Sequence, residues 1–149
     1  MINSLLVDTG FWYALLNDQD QFHHRADQYL ADCTQQLITT WPVITETCYL
    51  LLTRKSVGLA TTFLEMAAQD YFVTFHLQKE HFSRAAVLMK KYADLPMDLA
   101  DASLVILAEQ LGHGRILSTD QRDFEAYRWK NHEPFENLLL PDSGITMKD

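Results

Sequence analysis

Residues 95–124 read LPMDLADASLVILAEQLGHGRILSTDQRDF. After the break at Pro96, Asp98 and Asp101 open a run in which most positions through Leu111 are apolar, and Gly112-His113-Gly114 closes it. That pattern predicts a helix over 98–111, buried on several sides and stopped by the glycine route. Ile116-Leu117-Ser118 then predicts a short buried strand ending in Thr119-Asp120, with Asp123 just beyond. Carboxylates at the entry to a buried helix and at the exit of a buried strand are costly unless something neutralises them.

The rest of the chain repeats the alternation. Ser4 to Val7 has strand length and apolarity, Asp8-Thr9-Gly10 turns, and a short helix ends near Asn17-Asp18. Ala26, Tyr29, Leu30 and Cys33 recur at helical spacing, predicting an amphipathic helix over 22–33. A second strand is expected at 37–40. Trp41-Pro42 then opens a long helix to Arg54, because proline loses nothing in a first helical turn. Residues 55–58 break it, and another helix is expected over 59–69. Residues 71–75, YFVTF, are rich in aromatic and β-branched types and predict a third strand. A helix over 80–92 precedes the opening stretch. Residues 137–140 predict an edge strand, and 142–149 a loosely ordered tail.

Short apolar strands alternating with longer helices imply βαβ units, hence an α/β fold of three layers with a central parallel sheet of four to five short strands. Ligands in such sheets bind beyond the carboxyl ends of the strands, at the switch point. Asp8 and Asp120 follow the first and fourth strands and are therefore expected on the functional edge.

The 149 residues are expected to form one domain over 1–149, and 48% hydrophobic with 11% aromatic residues suits a packed core. There is no apolar run of membrane-spanning length and no leader pattern at the start, so a cytoplasmic protein without a membrane partner is expected. Cys33 and Cys48 make no framework and are expected to stay reduced. A net charge of −8 argues against binding nucleic acid through a blanket of basic surface. It does not exclude a nuclease that gathers carboxylates around a cation, with Arg54-Lys55, Lys90-Lys91 and Arg128 near Lys130 as local basic pairs.

Each acid has an ordinary explanation beside the chemical one. Asp8 can cap the helix after it. Glu46 can be a favourable charge near a helix N-terminus, although its neighbours are mostly apolar. Asp98 as cap, with Asp101 free as a ligand, is the preferred division of that pair. Asp123 is expected to cap or to form an Asx turn, leaving Asp120 the stronger ligand candidate. Taken together they put one carboxylate after strand one, one on a middle helix, one on the buried helix and one after strand four, and several crowded together cannot all ionise without a cation. Oxygen-only donors suit Mg²⁺ or Mn²⁺; zinc is disfavoured because no His or Cys pair has ligand spacing.

With these residues in hand, the chain resembles the PIN-domain family, specifically the VapC-type toxins of bacterial toxin–antitoxin systems. The resemblance spans essentially the whole length: LLVDTGFWYALL, TETCYLL, MDLADASLVILAEQLG and ILSTDQRDF, in that order. It implies a PIN-like α/β/α sandwich and places the family's four acids on Asp8, Glu46, Asp101 and Asp120, which would hold the metal. Asp98 and Asp123 would be secondary ligands, and Thr119 a supporting hydroxyl. The implied activity is Mg²⁺- or Mn²⁺-dependent hydrolysis of RNA phosphodiester bonds, leaving a 5′-phosphate and a 3′-hydroxyl. Arg54, Lys55, Arg122 and Arg128 are the candidates for steering RNA. The implied partners are a small antitoxin, whose C-terminal segment enters the cleft, and a second copy in a homodimer. A non-catalytic PIN module binding RNA or protein is the alternative. A phosphatase with Asp8 as phosphoryl acceptor fits poorly, because the position two residues on, where a second acid is wanted, is Gly10.

Overall fold

The computed structural model describes residues 3–140. The expected tail lies outside them. Five strands form one parallel sheet in the order β3-β2-β1-β4-β7: β1 (Ser4–Val7), β2 (Gln36–Thr40), β3 (Val73–Phe75), β4 (Arg115–Leu117) and β7 (Glu136–Asn137). A separate antiparallel pair, β5 (Arg128–Trp129) with β6 (Glu133–Pro134), sits between β4 and β7 in the chain. The central strands are sealed on both faces, with Leu5, Leu6, Val7, Ile116 and Leu117 inaccessible to solvent. That explains their continuous apolar runs.

Helices α1 (Thr9–Leu16), α2 (His23–Ala31), α3 (Trp41–Arg54) and α4 (Val57–Ala68) connect β1 to β2 to β3. Helices α5 (Lys79–Lys91) and α6 (Leu99–Leu111) return from β3 to β4, and α7 (Gln121–Ala126) follows. Right-handed crossovers running in opposite directions along the sheet put the first four helices on one face and the last three on the other. The result is the expected three-layer α/β/α sandwich with a parallel sheet.

Helix α6 is the central pillar: Ala102 to Ala108 are all buried, and Gly112 ends it in the left-handed conformation at φ 79°. Arg84 of α5 anchors its outer side through two hydrogen bonds to the Glu109 carboxylate, at 3.1 and 2.6 Å. Trp12, Phe63 and Phe72 form an aromatic cluster beneath α1 and α4, with Phe63 and Phe72 stacked at 5.5 Å.

Several boundaries differ from the sequence expectation. Helix α4 begins two residues earlier than expected because Ser56 caps it, accepting from the Leu59 N–H. The third strand is shorter than 71–75, since Met66 O takes the Tyr71 N–H as part of the α4 C-terminal turn. The edge strand lies at Glu136–Asn137 rather than 137–140, and Asn137 spends its side chain on the Ser118 backbone instead. Neither α7 nor the β5/β6 pair was expected. Cys33 and Cys48 are free thiols, each half-buried.

Candidate active site

Three of the helices that begin at the carboxyl edge of the sheet begin on an aspartate. Asp8 caps α1, its Oδ1 accepting from the Phe11 N–H at 2.8 Å. Asp98 caps α6, accepting from the Asp101 N–H at 2.9 Å. Asp120 caps α7, accepting from the Asp123 N–H at 3.2 Å. The ordinary and the chemical readings of these residues thus coexist. Helix N-termini carry partial positive charge and free N–H groups, which hold the carboxylates in place. For the 120/123 pair the expectation is corrected: Asp120, not Asp123, is the cap, because a helix of one and a half turns starts at Gln121.

These acids line one cleft of about 510 Å³, beside the β1/β4 switch point. Asp8, Glu46, Asp98, Asp101, Asp120 and Asp123 all contribute to its wall, as does Thr119. Asp8 is buried at its base, 5% exposed, and its Oδ2 accepts a short hydrogen bond from the Ser118 hydroxyl. Ser118 in turn accepts from the Asp120 N–H at 2.8 Å, so one buried hydroxyl joins the acids that follow β1 and β4. Glu46, one to two turns into α3, is oriented by the Thr9 hydroxyl, which donates to Oε1 at 2.7 Å. Asp101 accepts from the buried Tyr127 hydroxyl at 3.0 Å.

Gly10 sits where α1 passes the loop after β4. A Cβ there would overlap the Thr119 hydroxyl, so glycine permits the close approach that brings Thr119 beside Asp8. The same residue that argued against a phosphatase is therefore a packing requirement of the cleft.

The electrostatics are strained in one direction. Burial pushes Asp8 from 3.8 to about 7, against the pull of Ser118 and the Phe11 N–H; Asp120 and Glu46 add to the rise. Asp101 is raised to about 8, by burial first and then by Asp98, Asp8 and Asp120. Asp120, nearer the cleft opening, is raised to about 6 by partial burial and by Asp123. Glu46 is raised by burial and by Asp98. Desolvation leads in every case and like charge adds to it, the pattern that marks functional carboxylates.

A divalent cation is the simplest relief for such a set. Every acidic donor is a carboxylate oxygen, with Thr119 Oγ1 adjacent, and hard cations such as Mg²⁺ or Mn²⁺ favour that chemistry. Among the described residues, no three of these side chains stand close enough together to enclose an ion without moving. The donor set therefore fits a cation by its chemistry.

Of the four basic residues expected to steer RNA, only Arg54 lines the cleft, its guanidinium carbon 6.0 Å from the centre of the Tyr13 ring. Lys55 is turned to Gln19 Oε1 at 3.1 Å. Arg122 donates to Leu95 O and pairs with Asp123, and Arg128 donates to the Glu125 and Tyr127 carbonyls. Sequence reading missed Thr9, Ser118, Tyr127 and Asn137. Thr9 and Ser118 each lie within two residues of an expected ligand, a signal that could have found them. Tyr127 and Asn137 carry no local signal, because only tertiary packing brings them to the site.

Comparison with known proteins agrees with the fold. A family model described as PIN domain matches residues 5–130. The chain is 26% identical over 124 residues to Ribonuclease VapC26 of Mycobacterium tuberculosis, covering 83% of this chain and 92% of that protein. Its fold is similar to the crystal structure of Mycobacterium tuberculosis VapC20, described as a sarcin-ricin loop cleaving toxin. The TM-score is 0.74 at 21% identity, over 79% of this chain and 91% of the other.

Proposed function

The chain belongs to the PIN-domain family, and on that premise we propose that it is a metal-dependent endoribonuclease, the toxin of a toxin–antitoxin pair. The observation that carries the reading is the gathering of Asp8, Glu46, Asp101 and Asp120 in one cleft, with their carboxyls raised by burial and mutual repulsion. The VapC26 relative, a ribonuclease by name, supports the activity.

In this reading Asp8, Asp101 and Asp120 hold Mg²⁺ or Mn²⁺, and Asp98 and Asp123 support the outer ligands. Held there, the ion would supply positive charge to the scissile phosphate and favour deprotonation of the attacking water. Glu46, fixed by Thr9, accepts the proton of the attacking water. The water oxygen bonds to phosphorus as the bond to the 3′-oxygen breaks, and the departing oxygen takes a proton from solvent water, leaving a 5′-phosphate and a 3′-hydroxyl. Ser118 holds Asp8 and the start of α7 together, so the acids from the two strands stay in register. Arg54 on the cleft wall meets a phosphate neighbouring the scissile one.

RNA cleavage measured with Mn²⁺, with Mg²⁺ and with EDTA, alongside Asp101→Asn, tests the activity. Full cleavage in EDTA, or full activity in the variant, would exclude this mechanism. The toxin role predicts growth arrest on expression, relieved by a small antitoxin protein encoded beside it. The cytoplasm, where RNA and antitoxin are both available, is the compartment this role requires. Among the described residues no helix is long and apolar enough to cross a membrane. A homodimer is the proposed assembly, and mass measurement in solution tests it.

A further inference from the structure

Ser118 is fully buried just past the end of β4, and its hydroxyl joins two of the acids, donating to Asp8 Oδ2 and accepting from the Asp120 N–H. The strand beside it has already stopped. Strand β7 pairs with β4 as far as Asn137 opposite Ile116, and the Leu138 N–H donates to Ile116 O at 2.8 Å. Beyond that point the Asn137 side chain takes the place of backbone. Its Oδ1 accepts from the Ser118 N–H at 3.2 Å, and its Nδ2 donates to Ser118 O at 3.0 Å. The same Oδ1 accepts from the Leu139 and Leu140 N–H groups at 3.1 and 3.4 Å, turning the chain off the sheet. That turn is held from behind, with Arg25 donating to Leu139 O at 3.2 Å and Gln121 to Leu140 O at 3.1 Å.

We propose that Asn137 is a positioning residue for the metal-binding acids: by clamping both backbone groups of Ser118 it aims the Ser118 hydroxyl, and through it Asp8 and Asp120. This assignment rests on the ribonuclease reading and deepens it. Asn137 is not part of the cleft wall, so its route to the acids runs through Ser118. A carboxamide carries a donor and an acceptor side by side, the pair needed to match the N–H and the C=O of a single residue. Ser118 is sealed from water, so no solvent replaces those bonds when they are lost. With its backbone fixed, the hydroxyl keeps a single staggered position that serves Asp8 and the Asp120 N–H together.

Mn²⁺ binding to the whole protein, titrated without RNA and read from the paramagnetic resonance of the free ion, tests the relay. Asn137→Ala and Ser118→Ala should each weaken binding by about ten- to a hundredfold, the usual worth of a partner behind a metal ligand. The double variant should bind no more weakly than Ser118→Ala alone, because Asn137 acts through that hydroxyl. If Asn137 only tied β7 to the sheet, the two losses would add. A second readout needs no metal. The Asp120 N–H donates to Ser118 Oγ, so its NMR resonance should move upfield in Asn137→Ala. Asn137→Asp keeps the acceptor of the turn and loses only the donor to Ser118 O, so it carries both measurements if the alanine variant does not fold. The charge it adds is present with and without the Ser118 hydroxyl, and the double-variant comparison cancels it.

Additive losses of Mn²⁺ affinity, or an Asp120 amide resonance that stays in place, would overturn the proposal. Wild-type RNA cleavage with additive losses refutes the positioning role and spares the ribonuclease reading. Mn²⁺ binding with non-additive losses but no cleavage of RNA does the reverse. A wild-type protein that binds no Mn²⁺ overturns both.

Discussion

Replacing Asp101 by asparagine should stabilise the metal-free protein while removing its activity. Asp101 has an ordinary aspartate value of 3.8 when unfolded and about 8 when folded, through burial and then the neighbouring Asp98. Between these values the folded protein keeps a proton that the unfolded chain has released, so stability falls as pH rises through that window. At about 1.36 kcal/mol per pK unit, a rise of four units sets a ceiling of about 5 kcal/mol. The realised cost at pH 8 should be about 2 kcal/mol, because water entering the cleft relieves part of the desolvation. An asparagine carries no charge to desolvate and can still accept from the Tyr127 hydroxyl. For a chain of this size the gain corresponds to about 4–8 °C in Tm at pH 8 and almost none at pH 4. Adding Mn²⁺ at a hundred times its Kd should raise wild-type stability by about 2.7 kcal/mol and the variant far less. Thermal melts of both proteins from pH 4 to pH 8, with EDTA or with Mn²⁺, supply the measurement. Parallel pH profiles, or a variant that melts lower than wild type at pH 8 in EDTA, would refute a strained Asp101.

Ser118→Ala removes the donor to Asp8 and the acceptor of the Asp120 N–H, so cleavage should fall at least tenfold and stability by about 1–3 kcal/mol, read by kinetics and urea melts. Tyr127→Phe leaves Asp101 without a hydrogen bond that favours its ionised form, so its carboxyl should rise further and the rate–pH profile should shift to higher pH. Gly10→Ala forces its new methyl against Thr119 and should cost about 1–3 kcal/mol together with activity, whereas Gly58→Ala, whose new methyl meets only Ser56 Oγ at an ordinary 3.7 Å, should fold normally. Thr9→Val keeps the shape but loses the donor to Glu46, and should lower kcat more than it raises KM.

How much of this was legible beforehand varies by residue. The layer architecture followed from local pattern, because strands sealed on both faces must read as unbroken apolar runs and helices between them must show a longer period. Asp8, Asp98 and Asp120 stood out because an acid next to a buried element is expensive, and that cost is visible in one dimension. Their positions at helix starts also agreed with capping chemistry, although Asp120 rather than Asp123 proved to be the α7 cap. Strand and helix ends were less legible: α4 and β3 moved by two residues through one capping hydroxyl and one backbone turn.

The sequence by itself therefore determined the alternation of elements, the sheet's parallel character and the places where acids meet its carboxyl edge, since each depends on neighbours within a few residues. Only the tertiary structure decided which groups share a cavity. Tyr127 reaches Asp101 across 26 positions and Ser118 reaches Asp8 across 110, and no local pattern encodes such a separation. The basic residues show the same divide. Arg54 and Lys55 are chain neighbours, yet helical geometry turns one to the cleft wall and the other to Gln19. Strand order places Asp120 beside Asp8, and the residue facing Thr119 is then a glycine, because the Thr119 side chain occupies the space that a Cβ would take.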